Sequence, residues 1–317
     1  MKKLIAFFCV LFLNLCGAEI PFAERMEGIS PAVQNHLLAV LAEFPRTETG
    51  SFILKHLSPD VKFRTKAMAQ LGTADNHDVI TLEALRRDNQ FFPETTERQN
   101  KIKICFTGEI LAHELLHNCQ FHAGLSTYPQ NFSGYAGVLC ERLIELQAKY
   151  TGEWMFVQLS ELPEYRDFVA PKSGLFLVMQ RQSKEPAKDY ALTLWRNQIS
   201  SSEKLQLARA QTREISQWNI YYAEQAFRNH YDRFLRDDGN ASDAEIAAKL
   251  EEIIRFTGMP LSGGELVKIS PVKPIPHGIA LYENGKKVLE LIAGQKSYVK
   301  RLFFGGAVRE VNVPLNR

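Results

Sequence analysis

Long apolar spans, a surplus of one charge, cysteines at metal-binding spacing and internal repeats are all missing from this chain of 317 residues. The longest unbroken apolar run, Leu4 to Leu13, is about half of the roughly 20 residues a membrane helix needs, so no span is expected. The 38 Lys and Arg are balanced by 36 Asp and Glu. That balance argues against nucleic-acid binding driven by counterion release, which needs a cationic surplus. Five cysteines with no CxxC and no Cys/His cluster exclude a zinc-finger module and a disulfide-stapled mini-protein. With 45% hydrophobic and 23% charged residues, the composition is globular and the chain long enough for one large core or two modest ones.

What is present begins at the N-terminus. Lys2 and Lys3 precede the Leu4–Leu13 run, and Cys16, Gly17 and Ala18 follow it. A basic start, a short apolar core and small residues at a cut site describe a secretory signal peptide, here residues 1–18. The expected address is the periplasm or the exterior. Lipid anchoring at Cys16 is disfavoured by the bulky Leu15 before it. Removal of Lys2 and Lys3 cancels the formal charge of +2. It also leaves Cys105, Cys119 and Cys140, of which an oxidising compartment permits one pair.

Residues 19–258 read as one mainly helical domain. Helices are expected over 31–44, 107–121, 136–150 and 187–199, in a polar-aromatic stretch from a capping-box-like start at Ser200 to Leu235, and over 242–257. Val61–Phe63 and Val79–Leu82 suit strands, with the turn-prone Gly72–Asn76 between them. Residues 259–317 read as a small β-rich appendage with a hairpin at Asn284-Gly285. The fold class expected is α+β, mostly α.

One motif carries chemistry. His113-Glu114-Leu115-Leu116-His117 is H-E-x-x-H, and on a helix residues i and i+4 share a face. Two imidazoles so placed reach one zinc ion, and the Glu beside the first can take a proton from water at the metal. Thr107 is available as N-cap, with Glu109 in the first turn. Leu111, Ala112, Leu115, Leu116 and Cys119 gather on one side of the helix, and His113, Glu114 and His117 on the other. His122 falls nearly opposite His113 and is set aside as a ligand. The metzincin pattern is also rejected, because residue 120 is Gln where Gly is required. The third ligand is sought on the helix expected over 136–150. Leu139, Leu143, Leu146 and Tyr150 form its apolar stripe, leaving Glu141, Glu145, Val138 and Ala148 opposite. Glu145 is favoured over Glu141.

HELLH, followed by Glu145 and then by Ala148 three residues later, resembles the HExxH…E arrangement of gluzincin-like metallopeptidases. The resemblance covers about residues 78–150. It implies a zincin-like core, with an active-site helix under a small sheet whose edge strand binds extended substrate, a role that Val79–Leu82 suits. It further implies Zn2+ on His113, His117 and Glu145, Glu114 as catalytic base, and a peptide or protein substrate. Tyr128, Tyr135 and His230 are candidates for stabilising an oxyanion. Trp218, Tyr221, Tyr222, Phe227, Tyr231 and Phe234 suit core packing more than a cleft wall. The rival expectation is a non-enzymatic helical binding or scaffold protein. Its HExxH would be accidental, or part of a closed structural site completed by Cys119, Cys140 or Glu109.

Overall fold

The computed structural model describes residues 22–26, 28–67, 72–75, 78–83, 91, 96–166, 220–236, 239–256, 271–283 and 285–315. The expected signal peptide, the helix at 187–199, the Ser200 start and the domain boundary at 258/259 lie outside them. The fold is α+β, with helices dominant and two separate sheets. Among the described residues no helix is long and apolar enough to cross a membrane.

The chain divides into two compact units, residues 1–123 with 148–170, and residues 124–147 with 171–317. In the first, α1 (Pro31–Leu41) begins with proline at its first position, where a missing N–H costs nothing, and buries Val33, Leu37, Val40 and Leu41. Helix α2 (Glu48–His56) is capped by the Thr47 hydroxyl, which accepts from the Gly50 N–H at 2.9 Å. Strands β1 (Lys62–Lys66), β2 (Gly72–Asp75) and β3 (Val79–Glu83) form a sheet in the order β1-β3-β2. β1 runs parallel to β3, and β2 runs antiparallel to it. Gly72–Asp75, the described part of the turn-prone Gly72–Asn76, is therefore an edge strand. Val79–Leu82 lies in the middle strand, not at the edge. Glycine and a short polar run disguise β2, because its pairing with β3 supplies a register that its own composition does not advertise.

Helix α3 (Glu97–His122) is much longer than the 107–121 expected. Its N-cap is Thr96, whose hydroxyl accepts from the Gln99 N–H at 3.3 Å. Thr107 lies inside the helix, fully buried, with its hydroxyl 3.0 Å from His36 Nε2 of α1. The signal for the true start was Thr96-x-x-Gln99, a capping-box pattern. Leu111, Ala112, Leu115, Leu116 and Cys119 are all buried, as the periodicity predicts. Helix α4 (Gly134–Glu161) is likewise longer than expected, continuous across both units, and followed by the short α5 (Pro163–Arg166). Within the first unit α4 packs closely on α3. A Cβ at Gly108 would fall 2.4 Å from Leu159 Cδ1, and the Phe106 and Phe156 rings are 5.1 Å apart.

The second unit holds α6 (220–229), α7 (Tyr231–Arg236), α8 (Asp243–Phe256) and a five-stranded antiparallel meander. Its strands are β4 (Val272–Ile275), β5 (Gly278–Glu283), β6 (Lys286–Ala293), β7 (Ser297–Phe304) and β8 (Ala307–Pro314), in sequential order. The helical stretch ending at Leu235 is broken at His230, so its described part is not one rod. Tyr222, Phe227, Tyr231 and Phe234 are buried, and the last three pack in one core with Ile279, Leu281, Leu289, Leu291 and Tyr298 of the sheet. The β-rich tail is thus a sheet with an aromatic helix on one face. Cys140 sits in a second cluster with Leu143, Ile144 and Ile253.

Candidate metal centre

The functional side chains come from α3 and α4. One turn of α3 sets His113 above His117, with ring centroids 4.9 Å apart and Nε2 atoms 3.2 Å apart. Ligand atoms of His113, His117 and Glu145 all lie within 4.8 Å of one another, a group able to hold a metal ion. Two metal–nitrogen bonds of about 2.0–2.1 Å at a tetrahedral angle separate the nitrogens by about 3.3 Å. The imidazole pair therefore already has the spacing of two corners of such a polyhedron. The donor set, two imidazoles and one carboxylate, suits zinc among the available divalent metals. Among the described residues no fourth donor joins the group, so Cys119, Cys140 and Glu109 are outside it.

Glu145 reaches the imidazoles because α4 comes close to α3. Gly152, two turns beyond Glu145 on the same face, makes the approach possible. A Cβ there would stand 2.6 Å from the Glu109 carbonyl oxygen and 3.4 Å from His113 Cβ. Ala148, on that face between them, is fully buried. Glu141, the other carboxylate weighed, is engaged elsewhere. It accepts from the Asn229 side-chain amide and lies 2.9 Å from His230 Nε2, an ion-pair distance without hydrogen-bond alignment.

Glu114 is only 8% exposed and lies against edge strand β2. A Cβ at Gly72 would meet its Cγ at 2.9 Å and its Oε1 at 3.0 Å, so the strand passes directly over the carboxylate. Asp78, just before β3, is fastened to the end of α3. Asp78 Oδ1 accepts from His122 Nε2 at 2.7 Å and from Asn118 Nδ2 at 3.2 Å, and Asn118 Oδ1 accepts from the Ser58 N–H at 2.9 Å. Partial burial pushes the Asp78 carboxyl upward, but hydrogen bonds from His122, Ser58 and Asn118 and the His122 charge outweigh it, leaving it below its ordinary range. His122 therefore serves the sheet and stands outside the donor group.

The three cysteines past the expected signal peptide are free thiols, so none of the pairings left open forms. Burial pushes each up to about 12. A thiol so protonated at neutral pH is neither a nucleophile nor a ready metal ligand. Of the oxyanion candidates, Tyr135 donates its hydroxyl to the Val272 carbonyl at 3.1 Å. Tyr128 meets His230 edge-to-face at 5.2 Å. Burial, with Glu141, Cys140 and Glu145 nearby, raises the Tyr128 hydroxyl well above the usual tyrosine range, so it remains an O–H donor.

Inspection of the sequence missed three contributors. Gln120 Oε1 lies 3.1 Å from His117 Nδ1, and its spacing of three residues from a ligand was the available signal. Gly72 and Gly152 carried none, since a close approach is invisible without its partner. Comparison with protein-family models, with curated proteins and with solved structures finds no match.

Proposed function

We propose that this chain is an exported zinc-dependent peptidase with a zincin-like, gluzincin-type centre. His113, His117 and Glu145 would hold the ion, and Glu114 would be the catalytic base. The observation that carries the reading is the convergence of these three donors within 4.8 Å, with Glu114 on the turn between the two imidazoles. Zinc bound there would act as a Lewis acid toward a substrate carbonyl and lower the pKa of a water to about 7.

The chain's own groups supply the rest. Glu114, held under β2, takes a proton from the attacking water and passes it to the leaving nitrogen. The outer edge of β2, unpaired with another strand among the described residues, would offer backbone N–H and C=O groups to an extended peptide. A peptide paired there would run beside β2, one strand spacing (~4.8 Å) from the segment that covers Glu114. Of the oxyanion candidates, the Tyr135 hydroxyl is committed to the Val272 carbonyl, which leaves Tyr128 and His230 to be considered for stabilising a developing oxyanion. Export rests on residues 1–18, and three protein donors with no fourth among the described residues fit an open catalytic position better than a closed structural one.

Zinc content and peptide-library cleavage by the full mature chain, with and without a chelator, test the reading. About one zinc per chain is expected, lost on His117→Ala, together with chelator-sensitive cleavage. A chain that binds no zinc, or cleavage indifferent to the chelator, would overturn it.

A further inference from the structure

We infer that Gln120 is the positioning residue of this centre, holding the His117 imidazole in the tautomer that turns Nε2 toward the metal. The inference rests on the reading of His113, His117 and Glu145 as a metal site, and adds a side chain outside the donor set. Gln120 follows His117 by three residues on α3 and is fully buried. Its Oε1 lies 3.1 Å from His117 Nδ1. A carbonyl oxygen only accepts, so the ring proton sits on Nδ1 and the lone pair on Nε2. That Nε2 is the atom 3.2 Å from His113 Nε2. The reversed amide would donate to Nδ1, move the ring proton to Nε2 and aim it at His113, an arrangement a cation between the rings forbids. Only the orientation with Oε1 toward the ring serves a metal site.

The choice of an amide has a second consequence. Histidine ligands are often oriented by a carboxylate, which adds negative charge and strengthens the ligand. Gln120 orients without charge, so Glu145 is the single anion of the set and a dication there keeps a net positive charge. Such a centre remains a stronger electrophile and holds its metal less tightly than one with a second carboxylate. Replacing Gln120 by Glu, nearly the same shape, isolates this effect.

The experiment uses the full mature chain, with zinc affinity read by chelator competition and the ring protonation of His117 read by nitrogen-15 NMR. Gln120→Ala is expected to weaken zinc binding about 10–100-fold and, in the zinc-free protein, to lose the single Nδ1–H signature of His117. Gln120→Glu is expected to restore that signature and bind zinc at least as tightly as the parent. Parental affinity in Gln120→Ala, or an Nε2–H tautomer at His117 in the zinc-loaded parent, overturns the inference. If zinc-free Gln120→Ala does not fold, Gln120→Glu decides alone, and weaker binding than the parent overturns it. A parent chain that binds no zinc sinks the metal reading and this inference with it. A parent that binds while Gln120→Ala binds equally well sinks only this one.

Discussion

Helix α3 and the C-terminal meander β4–β8 solve opposite problems. The meander is built for stability. Its inner face buries Ile279, Leu281, Leu289 and Leu291 against aromatic rings, while charges cross its strands from Glu290 to Arg301 to Glu310. Helix α3 spends part of its interior on polar groups instead. Thr107, Glu114, Asn118 and Gln120 are all buried, each at a desolvation cost that a leucine would avoid. Thr107 meets His36, Asn118 meets Ser58 and Asp78, and Gln120 meets His117. Buried polarity therefore runs along several turns of α3, and three of these four residues lie within a few positions of the metal-capable group. Where stability alone is served, as in the meander, it is sparse.

The sharpest way to break this contrast is at Glu114. Glu114→Gln keeps size and burial but removes the proposed base, so on the peptidase reading peptide cleavage should fall by about 10²–10⁴-fold with zinc content unchanged. Cleavage at the parental rate would remove Glu114 from the chemistry. Leu291→Ala in the sheet should do the reverse. It should cost about 2–5 kcal/mol in denaturant unfolding and leave the zinc affinity of the folded protein alone. If zinc affinity fell with it, the division of labour drawn here would be mistaken.

Gly152→Ala comes next in size. Its Cβ would lie 2.6 Å from a backbone oxygen of α3, so the helices must separate, at about 1–3 kcal/mol. Zinc binding should weaken as Glu145 withdraws, and titration of the variant against a chelator measures it.

The smallest effect concerns pH. Asp78 has a folded-state pKa below its unfolded value, so its contribution is fully present above about pH 3.9 and disappears as pH falls through the lower folded value. Both partners of the Asp78–His122 pair are more than a third exposed, so screening holds the pair to at most about 1 kcal/mol. Acid titration of the parent against Asp78→Asn should show the stability difference only above that window. A difference that persists below it would assign the effect to packing.

Legibility followed the range of the interactions. The buried face of α3 was readable because an i, i+4 pattern is set by one helix, and Leu111, Leu115 and Cys119 lie where that pattern puts them. The hairpin at Gly285 was readable from turn chemistry, and that glycine has φ of 74°. The start of α3 was misplaced by ten residues because Thr107 looks like a cap in isolation. Nothing local reveals that His36, far back in the chain, takes its hydroxyl. β2 reads as turn-prone in sequence because edge pairing, not β propensity, makes it a strand. The 31–44 helix also ends sooner, at Leu41, with Phe44–Arg46 tightening into a 3-10 turn at Pro45.

By itself the sequence determined the pairing of His113 with His117 and the location of Glu114 between them, because helical periodicity is a property of neighbouring residues. Tertiary structure decided which carboxylate meets them. Glu141 and Glu145 are one turn apart on one face of α4, and the sequence favours Glu145 only through the Ala148 that follows it. The choice came from how closely α4 approaches α3 at Gly152, and from His230 and Asn229 engaging Glu141. Such distances are set by the packing of segments remote in the chain, and no local pattern records them.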